Sequence, residues 1–229
     1  MQAPLTDHIS LEALDRDGAL RESADAVAGD TRADLFRKAG VAGGSLLASG
    51  VLFGGLPAIA SAAKPSKKHD VAILNYALTL EYLEAAFYKE AVAKGRFSGQ
   101  VGAFAKLVAS DEAAHVAYLK RALGRAAVKS PKFDFKDTTT DEAKFKATAF
   151  ALENTGVKAY AGQATNIKQA AVVQAAVSVL TVEARHAAAI AVISGHLTGK
   201  DGIVPNGPFD KAASMTAVLK AVRATGFLV

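Results

Sequence analysis

Two Glu-x-x-His tetrads, Glu112/His115 and Glu183/His186, each follow a further glutamate, Glu81 and Glu153. Glu81 precedes Glu112 by 31 residues, and Glu153 precedes Glu183 by 30. Each leading glutamate is followed seven residues later by a tyrosine, Tyr88 and Tyr160. The half from Glu81 to His115 thus recurs from Glu153 to His186, offset by 72 and then 71 residues. Residues three apart on a helix point nearly the same way, so each tetrad can present one oxygen and one nitrogen to a common point. Four carboxylates buried without compensation would cost on the order of several kcal/mol each, or would take up protons. Two divalent cations cancel four carboxylates, and neutral imidazoles complete the shell. Mixed oxygen and nitrogen ligation suits iron or manganese, and a chain without cysteine has no thiolates for a structural zinc site. The expected ligands are therefore Glu81, Glu112, His115, Glu153, Glu183 and His186, around two Fe or Mn ions.

Other polar residues stand near this set. Tyr88 and Tyr160 lie about two turns beyond their glutamates, where they can hydrogen-bond carboxylates, donate electrons or simply fill core. Glu84 is one turn beyond Glu81 but rotated about 60° aside, and its mirror position is Gly156. It is a supporting group, an alternative ligand or a surface ion-pair partner. Asp111 precedes His115 by four residues and could orient an imidazole, although solvent exposure is expected of it. His69 and His196 fall at helix ends and His8 in the leader, so none is assigned to metal.

The elements that must position these groups are helices. Asp70 can cap a helix from about Val71 to Lys94, ended by Gly95. Leu74, Leu78, Glu81, Ala85 and Tyr88 share one stripe of it. A second helix spans about Gln100 to Leu123, stopped by Gly124, with Val108, Glu112, His115 and Leu119 inward. Residues 125–140 have no helical period and include Pro131, which reads as a long connection. Thr139 and Glu142 have capping-box spacing for a third helix reaching about Ile167, with Phe150, Glu153, Val157 and Tyr160 inward. A fourth, about Gln169 to Leu197, turns Val179, Glu183, His186 and Ile190 inward, and Gly199 closes it. A short amphipathic piece near 212–224 follows. No segment shows the period of two expected of strands. The predicted fold is all-α: a four-helix bundle with one long crossover between helix pairs, plus a short C-terminal helix.

The absence of cysteine excludes disulfides, Fe–S clusters and thiolate nucleophiles. The net charge of +5 is uneven. Residues 1–38 hold five Arg/Lys against eight Asp/Glu, residues 39–63 hold no charge, and 64–229 hold the remaining +8. The lysines are scattered, which describes a solvated cationic surface and no specific nucleic-acid partner. Residues 31–63 run from TRADLFRKAG through an apolar Gly/Ala/Leu stretch to AIASAA, ahead of a basic KPSKK. That order is the signature of an export signal, with cleavage after Ala62 or Ala63. TRADLFRKAG resembles a degenerate twin-arginine motif, since Ala33 follows Arg32 where a second arginine is usual. The expectation is a leader over 1–63 and a bundle domain over 64–229, exported to the periplasm or outside. Retention of 39–63 as a membrane anchor is the alternative.

NYALTLEYLEAAFY (75–88), SDEAAHVAYL (110–119), LENTGVKAY (152–160) and TVEARHAAAI (181–190) resemble the ferritin-like superfamily, in particular bacterial ferritin-like domain proteins related to plant desiccation-associated proteins. The resemblance covers about Lys68 to Leu197. It implies a metal-binding bundle, often exported, with the six ligands named above. Two functions follow as expectations. One is a dinuclear iron or manganese protein handling O2 or peroxide, in peroxidase, catalase or ferroxidase chemistry. The other is a non-catalytic stress or desiccation protein in which metal is structural or absent. Iron storage is disfavoured, because 64–229 carries only fourteen Asp/Glu. A homo-oligomer is compatible with either function.

Overall fold

The computed structural model describes residues 66–229. The leader, with its twin-arginine-like segment and the apolar stretch 39–63, lies outside the described residues. The described chain forms α1 (Lys67–Lys94), α2 (Gly99–Leu123), α3 (Glu142–Gln163), α4 (Ala170–Ile193) and α5 (Met215–Ala224). Single 3-10 turns, Gly124–Ala126 and Ala164–Asn166, extend α2 and α3.

Short links hold α1 along α2 and α3 along α4, while α1 also meets α3 and α2 meets α4. That is a four-helix bundle with one crossover between its pairs, as the spacing predicts. The crossover runs from Ala127 to Asp141 and is tied down at both ends. Asn75 on α1 donates to the Ala126 carbonyl (2.9 Å) and accepts from the Val128 N–H (2.8 Å). Further on, Phe133 and Leu228 form an isolated antiparallel bridge, supported by Asp134 N–H donating to the Phe227 carbonyl (2.9 Å). The C-terminal segment therefore straps the crossover, and Phe135 and Phe227 meet edge-on at 5.3 Å.

Several helix ends differ from expectation. Ser66 caps α1, its Oγ accepting from the His69 N–H (3.1 Å). Asp70 is instead fully buried and serves the other helix pair: its carboxylate accepts from the Lys168 N–H (2.8 Å) and the Gln169 N–H (3.0 Å), just ahead of α4. Asp141, not Thr139, caps α3, accepting from the Lys144 N–H (2.9 Å). Thr139 is buried and donates to Glu90 (2.8 Å). α4 ends at Ile193, four residues short of Leu197. Gly95 does end α1, but at an ordinary right-handed φ of −69°. A Cβ there would sit 2.6 Å from the Ala91 carbonyl oxygen and 2.7 Å from that of Thr139, so close approach of the crossover selects glycine.

The core has two apolar parts. One gathers Leu83, Phe87, Tyr88, Phe104, Phe135 and Phe145; the other gathers Leu78, Leu119, Leu123, Tyr160 and Val179. Tyr88 belongs to the first and Tyr160 to the second. By length and a mean hydropathy of 1.5, α4 is apolar enough to cross a membrane. Within the bundle that composition fits a core helix that buries Val179, Ile190 and two polar residues.

Candidate metal centre

Every helix of the bundle turns acid inward: Glu81 and Glu84 from α1, Glu112 from α2, Glu153 from α3 and Glu183 from α4. Glu81, Glu112, Glu153 and Glu183 are each 0% exposed, and His186 is 5% exposed. The His115 side chain is 13% exposed, so it stands at the edge of the cluster. The register in the sequence places all six expected ligands in one place.

They form two overlapping quartets. Glu81, Glu112, His115 and Glu183 make one, and Glu112, Glu153, Glu183 and His186 make the other; within each, one ligand atom per residue lies within 4.8 Å of the rest. Glu112 and Glu183, the tetrad glutamates, belong to both. His115 Nδ1 lies 3.1 Å from Glu112, 3.2 Å from Glu81 and 3.5 Å from Glu183. His186 Nδ1 lies 3.2 Å from Glu153 and 3.3 Å from Glu112. Two atoms each about 2.1 Å from one ion stand about 3.0–3.4 Å apart at octahedral to tetrahedral angles. Four of the five nitrogen–oxygen distances match that spacing, and the fifth, 3.5 Å to Glu183, lies just beyond it.

The donor set also fits a cation on a second ground. Glu112 Oε1, Glu153 Oε2, both oxygens of Glu183 and His186 Nδ1 are buried without a hydrogen-bond partner. Native proteins leave few such atoms, and the desolvation penalty for charged ones is severe. Five in one cluster, all of atom types able to ligate a metal, are consistent with a cation site.

The electrostatics of the protein alone carry the same tension. Burial raises the Glu81 carboxyl to about 8, against the opposing pull of His115. Burial and neighbouring carboxylates push Glu183 well above the usual range, and burial raises Glu153. Burial opposes ionisation of Glu112 too, but the His115 and His186 imidazoles beside it outweigh burial and bring that carboxyl down to about 2. The imidazoles respond in reverse. Burial disfavours their charge, yet the surrounding carboxylates raise His115 to about 12 and His186 to about 11. Without metal, protons do the neutralising.

The tyrosines settle into the hydrogen-bonding role, with an exchange the sequence did not show. The Tyr88 hydroxyl donates to Glu153, and the Tyr160 hydroxyl donates to Glu81, so each half's tyrosine serves the other half's glutamate. Glu84 is 3% exposed, which removes the surface ion-pair alternative. It stands outside both quartets, and burial together with the charges of Glu183, Glu112, Glu153 and Glu81 raises its carboxyl well above the usual range. Its mirror position, Gly156, makes room: a Cβ there would lie 2.6 Å from Glu183 Oε2. Asp111 corrects an expectation. Solvent exposure is expected of it, yet it is half-buried, and its Oδ2 lies 3.1 Å from Nε2 of His186, 75 residues away, so it does meet an imidazole. Carboxylates behind ligating imidazoles fix ring orientation and tautomer. The mirror position of Asp111 is Val182, so only one of the two histidines has this support. His69 and His196 stay outside both quartets.

A four-helix bundle with one crossover, lined by four carboxylates and two imidazoles, is an architecture that can hold metal ions between its facing helices. Residues 69–196, more than half of the chain, match the ferritin-like domain, and the chain belongs to that family. No curated protein matches the chain.

Proposed function

We propose that this protein holds two iron or manganese ions between its two Glu-x-x-His tetrads and uses them on O2 or peroxide. The observation that carries the reading is the pair of quartets sharing Glu112 and Glu183, with four of their buried carboxylate oxygens unpartnered. Glu81, Glu112, His115 and Glu183 would hold one ion, and Glu112, Glu153, Glu183 and His186 the other. When bound, such ions supply Lewis acidity and one-electron redox chemistry. The chain's own part is to hold the ligands and exclude water. Tyr88 and Tyr160 fix one oxygen each of Glu153 and Glu81, leaving the other oxygen directed inward. Asp111 aims His186. Glu84, neutral when protonated, can keep a proton beside the cluster without adding charge. Export through the leader, and a role in oxidative or desiccation stress, are part of the proposal and rest on the sequence features alone.

The test is elemental analysis of the purified chain beside a Glu112→Ala/His115→Ala variant, followed by O2 and peroxide consumption assays of the loaded protein. About two Fe or Mn per chain, lost in the variant, with turnover, is the expected result. Absence of bound metal after reconstitution with either ion would refute the site. The complete burial of the four glutamates favours a second reading, in which metal only staples the bundle. That reading predicts metal-dependent melting with no consumption of O2 or peroxide by either loaded form.

A further inference from the structure

A narrow cleft leads toward the carboxylate cluster on the side of the bundle where α5 packs on α3. Leu80, Leu83 and Glu84 of α1 form one wall, Leu152, Thr155 and Gly156 of α3 the other, and Val222 of α5 closes it over. It has room for about one water molecule. Thr155 is half-buried and marks the mouth, whereas every other lining residue is buried.

The inner end is set by one break in the repeat between the two halves. Gly156 stands where the first half has Glu84, and both residues line the cleft. With no side chain on Gly156, Glu183 comes so close that a Cβ there would sit 2.6 Å from its Oε2. Glu183 belongs to both ligand quartets, and both its oxygens are buried without a hydrogen-bond partner. The cleft therefore ends one glycine away from an oxygen of the cluster.

Size and wall chemistry select what can use such a passage. Its walls are largely aliphatic, so an ion would lose its water with little in exchange. A neutral diatomic molecule is about as slender as water and has no tight hydration shell to shed. Side-chain motions on the picosecond to nanosecond scale let such a molecule slip between aliphatic groups. A larger hydroperoxide or a phenol does not fit.

We propose that this cleft is the path by which O2 reaches the carboxylate cluster, with Gly156 leaving its inner end open and Thr155 setting the width of its mouth. What O2 does on arrival rests on the function proposed above. Its admission to the cleft does not.

The test has a metal-free arm and a metal-loaded arm, both on the full chain. In the first, methyl relaxation is measured by NMR after chelation, under raised pressure of O2, which is paramagnetic and relaxes the nuclei it approaches. The methyl groups of Leu83, Leu152 and Val222 are expected to relax severalfold more than those of Val108 and Ile190, which are 0% exposed and line no part of the cleft. A bulky gadolinium chelate is expected to spare all five. Thr155→Leu, which narrows the mouth, is expected to remove most of the O2 effect. Val222→Ala, which widens the cleft, is expected to increase it and carries the test if Thr155→Leu does not fold. In the second arm the protein is loaded with Fe(II), its iron content measured, and association of nitric oxide, a neutral diatomic probe, followed by absorbance. Thr155→Leu is expected to slow that association severalfold at unchanged iron content. Cleft methyl groups relaxed no more than Val108 and Ile190, equal relaxation by the chelate, or an unchanged association rate in Thr155→Leu would each overturn the proposal. A wild-type chain that takes up no iron would instead refute the metal reading, and the relaxation arm would still decide whether O2 occupies the cleft.

Discussion

Loading the cluster with metal should expel protons, and the structure sets how many. At pH 7 in the metal-free protein, His115 and His186 hold protons because the surrounding carboxylates raise them to about 12 and 11. Glu81, raised by burial to about 8, holds most of another, and Glu183 lies well above the usual carboxylate range. Ligating atoms must shed these protons, so binding two divalent ions should release about three per chain from His115, His186 and Glu81, with any held by Glu183 in addition. The apparent affinity for each ion should then rise at least about thirtyfold per pH unit between pH 6 and 7. Calorimetric titration with Mn(II) at pH 7, in two buffers of different ionisation enthalpy, reads the proton count from the difference in apparent heats. Release of fewer than one proton per chain would refute the claim that protons stand in for metal here.

The same shifts give melting a sign. Glu81 and Glu183 have folded-state values raised above those of the unfolded chain, so their contribution is full below about pH 4.5 and is lost as pH rises, through about 8 for Glu81. The slope is on the order of 1.4 kcal/mol per pH unit for each retained proton. The histidines act in the same direction above about pH 6.5. Glu112 opposes them only in acid, its contribution being lost as pH falls toward about 2. The metal-free protein should therefore melt lower at pH 8 than at pH 5, whereas saturating Mn(II) should reverse the trend; calorimetry at both values checks it. Gly156→Ala should push aside Glu183 Oε2, 2.6 Å from the new Cβ, and weaken metal binding about tenfold while helix propensity gains up to about 1 kcal/mol. Unchanged metal affinity in that variant would show that Glu183 need not lie where it does. Asp111→Ala should weaken one of the two ions about 10–100-fold and spare the other, read as unequal steps in a metal titration. Equal weakening of both would contradict an asymmetric role.

The six clustered side chains were legible in the sequence because helical spacing fixes direction about a helix axis. Glu112 and His115, three apart, had to share a face, and the repeat in register put Glu81, Glu153, Glu183 and His186 on equivalent faces. The helices themselves, and the long crossover, followed from the same periodicity and from its interruption between residues 125 and 140. Periodicity within one helix cannot say which neighbour a side chain will meet. The sequence therefore left open which carboxylate, if any, Tyr88 would meet, and packing handed it to Glu153. Asp70 had the composition of a helix cap, and tertiary structure turned it to the start of α4, 98 residues away. Glu84 was undecided by rotation alone, since 60° from an inward stripe is core or surface depending on how closely the next helix approaches. Asp111 reached a histidine on another helix for the same reason. Chemistry carried by residues one turn apart is written locally; contacts between helices depend on axial offsets and distances that exist only once the bundle has closed.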